Sequence, residues 1–178
     1  LGDPVFTPTS GPDAPNLEHS GVFWSPDSRR IGYFTSSNRI ASISPETKLS
    51  EVIYQHNREM WPRGASWGDD GTILFAPDPN SPILRVPASG GNPIAVTELD
   101  STIADVSHRW PVWLPGGTHF LYTLWSNSAE VLANEGGVYL GSISGDPPVK
   151  LLDDDSACHY AEPGFLLVHR SRNLVAIP

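Results

Sequence analysis

Apolar and polar residues alternate along most of this chain in short runs, each closed by proline, glycine, aspartate or serine. The segments GVFWSPDSRRIGYF from Gly21, GASWGDDGTILF from Gly64 and WPVWLPGGTHFLYT from Trp110 share one order. Each has an aromatic residue, a tight turn, and then an alternating apolar run, which is the pattern of a half-buried strand hairpin. A degenerate copy, CHYAEPGFLLV from Cys158, puts Tyr160 in the place of the tryptophan. The anchors Trp24, Trp67, Trp113 and Tyr160 are 43, 46 and 47 residues apart.

The alternation predicts strands near 20–24, 30–35, 39–43 and 51–55 in the first unit and 64–67, 72–76, 83–87 and 94–98 in the second. The third unit gives 110–113, 118–125, 137–143 and 148–152, and the last gives 157–160, 165–169 and 173–177. Turns at Pro26-Asp27-Ser28, Asp69-Asp70-Gly71, Pro115-Gly116-Gly117 and Pro163-Gly164 separate them. No stretch sustains a 3.6-residue period, so helical arrays with a similar repeat length are set aside. Four strands per period is the make-up of a β-propeller blade. The expected fold class is all-β, with about three and a half blades of four antiparallel strands, belonging to a propeller of six or more. Blades are expected at about 18–60, 61–105, 106–155 and 156–178, with 1–17 a linker or the remnant of a preceding blade. An incomplete ring exposes strand edges, so self-association through open blade edges is also expected.

The segment FWSPDSRRIGYF resembles the TolB-type (WD40-like) propeller repeat through Trp24, Ser25, Pro26, Asp27, Ile31 and Tyr33. It departs at Ser28 and Gly32, where that family usually has Gly and Ala. The stretches PRGASWGDDGTILFAPDPNSPILRVPASGGNPIAVTELD and SHRWPVWLPGGTHFLYT are similar to the propeller modules of bacterial, especially acidobacterial, serine/threonine protein kinases. The resemblance implies a sensor or scaffold region of a receptor-like kinase, or a periplasmic relative. It implies a periplasmic or extracytoplasmic location and a protein, peptide or glycan ligand.

Composition sharpens this picture in two ways. With 18 prolines, 16 glycines and 10% aromatic residues, the chain leaves little room for long helices and favours strands. A net charge of −9 with only two lysines, Lys48 and Lys150, opposes nucleic acid and anionic membranes. Apolar runs of membrane-spanning length are absent from the sequence, so neither nucleic-acid binding nor direct membrane insertion is expected. Cys158 is the only cysteine, so no intrachain disulfide forms.

The candidate chemistry falls into three sets. Asp27, Asp69, Asp70, Gly71, Gly116 and Gly117 sit in hairpin turns, where Asp caps backbone N–H groups and Gly supplies positive φ. Asp153-Asp154-Asp155 reads as a solvated acidic run, and no Cys/His spacing suits zinc, so no metal and no cofactor are expected. Gly64-Ala65-Ser66-Trp67-Gly68 satisfies G-x-S-x-G, and the order Ser66, Asp105, His108 matches that of α/β-hydrolases. That motif needs a helix after the serine, whereas GDDGTILF reads as a turn and a strand. A hydrolase (esterase or peptidase) with Ser66 as nucleophile, or the propeller of a peptidase, is therefore the alternative to a binding module. The third set is positional: His19 and His108 lie five residues before Trp24 and Trp113, and Arg63 and Arg109 lie four before Trp67 and Trp113. His159 directly precedes Tyr160, and Trp61 and Trp110 lie beside the arginines. Where chains enter innermost strands, such residues ring a channel mouth and suit a peptide or sugar. They equally suit carbonyl-satisfying roles between blades.

Overall fold

The computed structural model describes Pro15, residues 21–103 and residues 106–178. Strands β1 (Val22–Trp24), β2 (Ile31–Phe34), β3 (Arg39–Ile43) and β4 (Ser50–Gln55) form one antiparallel sheet in that order. β5 (Ala65–Trp67), β6 (Thr72–Phe75), β7 (Leu84–Pro87) and β8 (Ile94–Ala95) form the next. β9 (Val106–Trp113), β10 (His119–Ser126), β11 (Gly137–Ser142) and β12 (Val149–Leu152) form the third. β13 (Cys158–Ala161), β14 (Phe165–Arg170) and β15 (Asn173–Ile177) make a three-stranded fourth sheet. The leading strands pack in series, β1 on β5, β5 on β9 and β9 on β13. Four antiparallel blades arranged as a β-propeller result, in line with the fold class read from the alternation.

The period of two explains the core. Ile73 and Phe75 of blade 2 point toward blade 1 and meet Phe23, Phe34 and Ile40, while Leu74 and Ala76 point the other way to Phe120 and Tyr122. Leu121, the residue between those two aromatics, faces Cys158 and Val168 of blade 4. Every inner blade thus buries both faces, and each large side chain so buried contributes about 1.5–3 kcal/mol.

The turn carboxylates act as caps. Asp27 Oδ1 accepts hydrogen bonds from Ser25 Oγ (2.6 Å) and the Arg29 N–H (3.0 Å), and Asp70 Oδ1 accepts from the Thr72 N–H (2.8 Å). The Ser25 hydroxyl, and then the Arg29 N–H, hold the Asp27 carboxyl below its ordinary acidity range.

Three elements differ from the alternation pattern. β9 begins at Val106, four residues ahead of the predicted 110, because residues 106–109 pair with the second half of β10, which keeps its expected eight residues. β8 keeps two residues of the predicted 94–98. A short helix, α1 (Ala129–Asn134), sits between β10 and β11 with Ser128 as its N-cap. Its six residues are too few to show a period. Among the described residues, no helix is long and apolar enough to cross a membrane.

Candidate functional site

The most irregular backbone in the innermost strands lies in β9. Leu121 pairs with Val112 and Thr123 pairs with Arg109, so Trp110 and Pro111 together oppose Tyr122. This is a β-bulge, with Trp110 at φ 52°. Pro111 has no N–H to give the ladder, which a bulge tolerates. The Trp110 N–H leaves its own sheet and donates to the Arg63 carbonyl of blade 2 at 2.6 Å. The extra residue resets the alternation, so His108 and Trp113 both face blade 2, while Arg109 and Val112 face blade 4.

His108 is 3% exposed. Its Nδ1 lies 2.8 Å from Thr97 Oγ1, and its ring centroid lies 4.7 Å from that of Tyr122. Burial pulls its pKa down to about 4, so the imidazole is neutral at pH 7. Thr97 and Tyr122 also line a groove of about 640 Å³ between blades 2 and 3, together with Ser142 and Asp146.

Arg109 is 8% exposed. Its Nε donates to Ser107 Oγ at 2.8 Å, and its guanidinium carbon lies 3.7 Å from the Trp125 ring centroid and 5.9 Å from that of Trp110. Burial, and then the charge of Arg63, draw its pKa down to about 10, which leaves it a cation at neutral pH. Arg63 Nη1 donates to the carbonyls of Trp61 and Pro62, both at 3.1 Å, and Trp61 is 45% exposed.

Of the residues expected at the channel mouth, the structure thus gathers Arg63, Arg109 and Trp110, with Trp61 next to Arg63 in the chain. His108 lies on the opposite face of the same strand. His159 is exposed in β13, between Cys158 and Tyr160, which face blade 3. His19 lies outside the described residues, as does Asp105. Sequence reading missed Trp125, Ser107, Thr97 and Tyr122. Trp125 pairs with Ser107, two residues from Arg109, a relation visible only once the β9–β10 register is known.

Ser66 sits inside β5, paired with Leu74. Its Oγ accepts the Trp113 N–H at 3.1 Å, and Trp113 Nε1 donates to the Thr72 carbonyl at 3.1 Å. The flanking glycines serve the same junction: a Cβ on Gly64 would lie 2.9 Å from Trp110 Cα, and one on Gly68 would lie 2.9 Å from Trp113 Nε1. The G-x-S-x-G pattern is therefore a close-packing device between blades 2 and 3. Ser66 and His108 have different partners, Trp113 and Thr97. Among the described residues, no three His, Cys, Asp or Glu side chains gather as a metal site.

No protein-family model and no curated protein matches the sequence. Solved structures share the fold. A calcium-binding regucalcin from Agrobacterium tumefaciens, of the six-bladed propeller kind, is 14% identical with a TM-score of 0.63, covering 93% of this chain and 55% of its own. An oligogalacturonate lyase is 14% identical with a TM-score of 0.62, covering 83% and 45%. A puromycin hydrolase is 10% identical with a TM-score of 0.61, covering 82% and 27%. The chain thus spans about half the length of the first two, and the likeness is one of fold.

Proposed function

We propose that this chain is a non-enzymatic binding unit of a longer propeller, with its contact surface at the channel mouth around Arg63, Arg109 and Trp61. The observation that supports this reading is the packing of the Arg109 cation against Trp110 and Trp125, where the Trp110 N–H also donates to the Arg63 carbonyl of blade 2. Tryptophan faces and arginine forks are the groups that most often anchor peptides and sugars. On the sequence resemblance, the parent is a TolB-like periplasmic protein or the extracytoplasmic sensor of a bacterial receptor-like kinase. The test is binding of the purified chain to arrays of short peptides and oligosaccharides, beside the double variant Trp61→Ala, Arg63→Gln. Captured ligands should be lost in the variant while its strand-type circular dichroism is kept. Undiminished capture of every ligand would overturn the reading.

The rival reading is hydrolysis, favoured by a puromycin hydrolase and two lyases of similar fold. The engagement of Ser66 Oγ by a backbone N–H of the next blade weighs against it. Turnover of short p-nitrophenyl esters that disappears in Ser66→Ala would establish it.

A further inference from the structure

We infer that Arg109 and Arg63 form a receptor for a small planar carboxylate at the channel mouth. This deepens the binding reading above and rests on it. Arg109 is over nine-tenths buried, yet among the described residues no carboxylate pairs with it or with Arg63. A buried cation is ordinarily neutralised, because removal from water penalises the charged form. Here the nearby charge has the wrong sign: Arg63 lowers the pKa of Arg109 where a carboxylate would raise it.

Another arginine in the same chain shows the satisfied state. Arg170 places Nε and Nη2 each 2.6 Å from the two oxygens of Asp154, and its pKa rises through that bond. Arg109 has given only its Nε, to Ser107. The guanidinium lies against the Trp125 face at 3.7 Å, a contact that fixes its plane, and among the described residues no hydrogen bond occupies its two Nη groups. A carboxylate matches the guanidinium fork with two parallel charge-assisted hydrogen bonds. Phosphate would also meet a fork, but a dianion is repelled about twice as strongly by a chain of net charge −9. The monoanion is therefore the favoured ligand.

The probes are benzoate, its neutral isostere benzamide, and inorganic phosphate, titrated calorimetrically into the intact chain. Benzoate should bind and benzamide should not. Arg109→Lys keeps the charge and loses the fork, and should weaken benzoate about tenfold to a hundredfold, the effect of losing charge-assisted hydrogen bonds. Arg63→Gln, at a more accessible position, should weaken benzoate severalfold with the fold intact and guards against a misfolded Arg109 variant. Equal binding of benzamide, stronger binding of phosphate, or no change in Arg63→Gln would each overturn the carboxylate assignment. An acetylated peptide acid beside its amide, and glucuronate beside its amide, separate a chain terminus from a sugar acid as the natural source. If benzoate fails but array ligands still depend on Trp61 and Arg63, the mouth remains a binding surface and only the carboxylate receptor falls.

Discussion

The β9–β10 hairpin of blade 3 has two halves that meet at the Trp110–Pro111 bulge and bury opposite kinds of side chain. On the turn side, Phe120 and Leu121 are at most 1% exposed, and Trp113 and Val112 pack beside them in apolar clusters. Beyond the bulge, Val106 is buried together with the polar Ser107, His108, Arg109, Thr123 and Ser126. Polar groups buried this way stabilise a fold only when every partner is supplied, and otherwise cost free energy. The turn half therefore holds blades together by apolar packing, while the other half buries polar groups that each have at least one hydrogen-bond partner. The difference separates what builds this propeller from what it could use.

The comparison breaks most visibly if the turn half is not the anchor. Phe120 is fully buried, and a Cβ on Gly141 would stand 2.6 Å from its ring, so the site is tightly filled. Phe120→Ala should lower unfolding free energy by about 3–5 kcal/mol in guanidinium titrations. A loss below about 1 kcal/mol would show that the site collapses freely and is no anchor.

The half that holds His108 should reveal itself through pH. In the unfolded chain His108 titrates near the ordinary imidazole value of 6.5, and burial draws it to about 4 in the fold. Its folded pKa is depressed, so neutral His108 is tolerated above pH 6.5. As pH falls from 6.5 toward 4, the unfolded chain takes up a proton that the folded chain refuses. Stability drops by about 3 kcal/mol across that window from this group alone. Carboxylates titrate in wild type and variant alike, so the discriminating quantity is the difference between wild type and His108→Gln. The variant should show the shallower loss, and parallel pH curves would sink the assignment.

The two halves were unequally legible in the sequence. Strict alternation in Ile73–Ala76 and Phe120–Tyr122 names both blade faces directly, because a period of two leaves one choice of face per residue. The spacing of Trp24, Trp67, Trp113 and Tyr160, one anchor per blade, supplied the blade count. The half beyond the bulge was read only in part. Arg63, Arg109 and Trp110 came from their offset to the tryptophans, but a bulge inserts one residue and reverses every side chain beyond it. No local signal reports that reversal, so Trp125 and Thr97 were invisible until the register was fixed. The G-x-S-x-G glycines answer to the distance between blades, in keeping with the turn and strand read after Ser66.

Gly64 probes the seam between the halves. At φ 99°, with a Cβ position 2.9 Å from Trp110 Cα, it is constrained by backbone and by its neighbour at once. Gly64→Ala should cost about 2 kcal/mol, within the range for a strained non-glycine residue. It should also disturb the mouth, because the adjacent Arg63 carbonyl receives the Trp110 N–H. Loss of stability with unchanged ligand capture would show that the seam does not position the site.

The smallest expected effect carries the sharpest distinction. Ser66→Ala removes the acceptor of the Trp113 N–H at the half-buried junction of blades 2 and 3. One neutral hydrogen bond contributes about 1 kcal/mol, and the orphaned N–H adds part of its desolvation cost. The double variant Ser66→Ala, Phe120→Ala should fall short of the sum of the single losses, since both side chains serve the packing of Trp113 against blade 2. A nucleophile would behave otherwise: its removal would leave stability nearly untouched and erase ester turnover. Chemical denaturation and an esterase assay on the same variant thus assign Ser66 either to the half of the hairpin that holds the blades or to a chemistry that neither half explains.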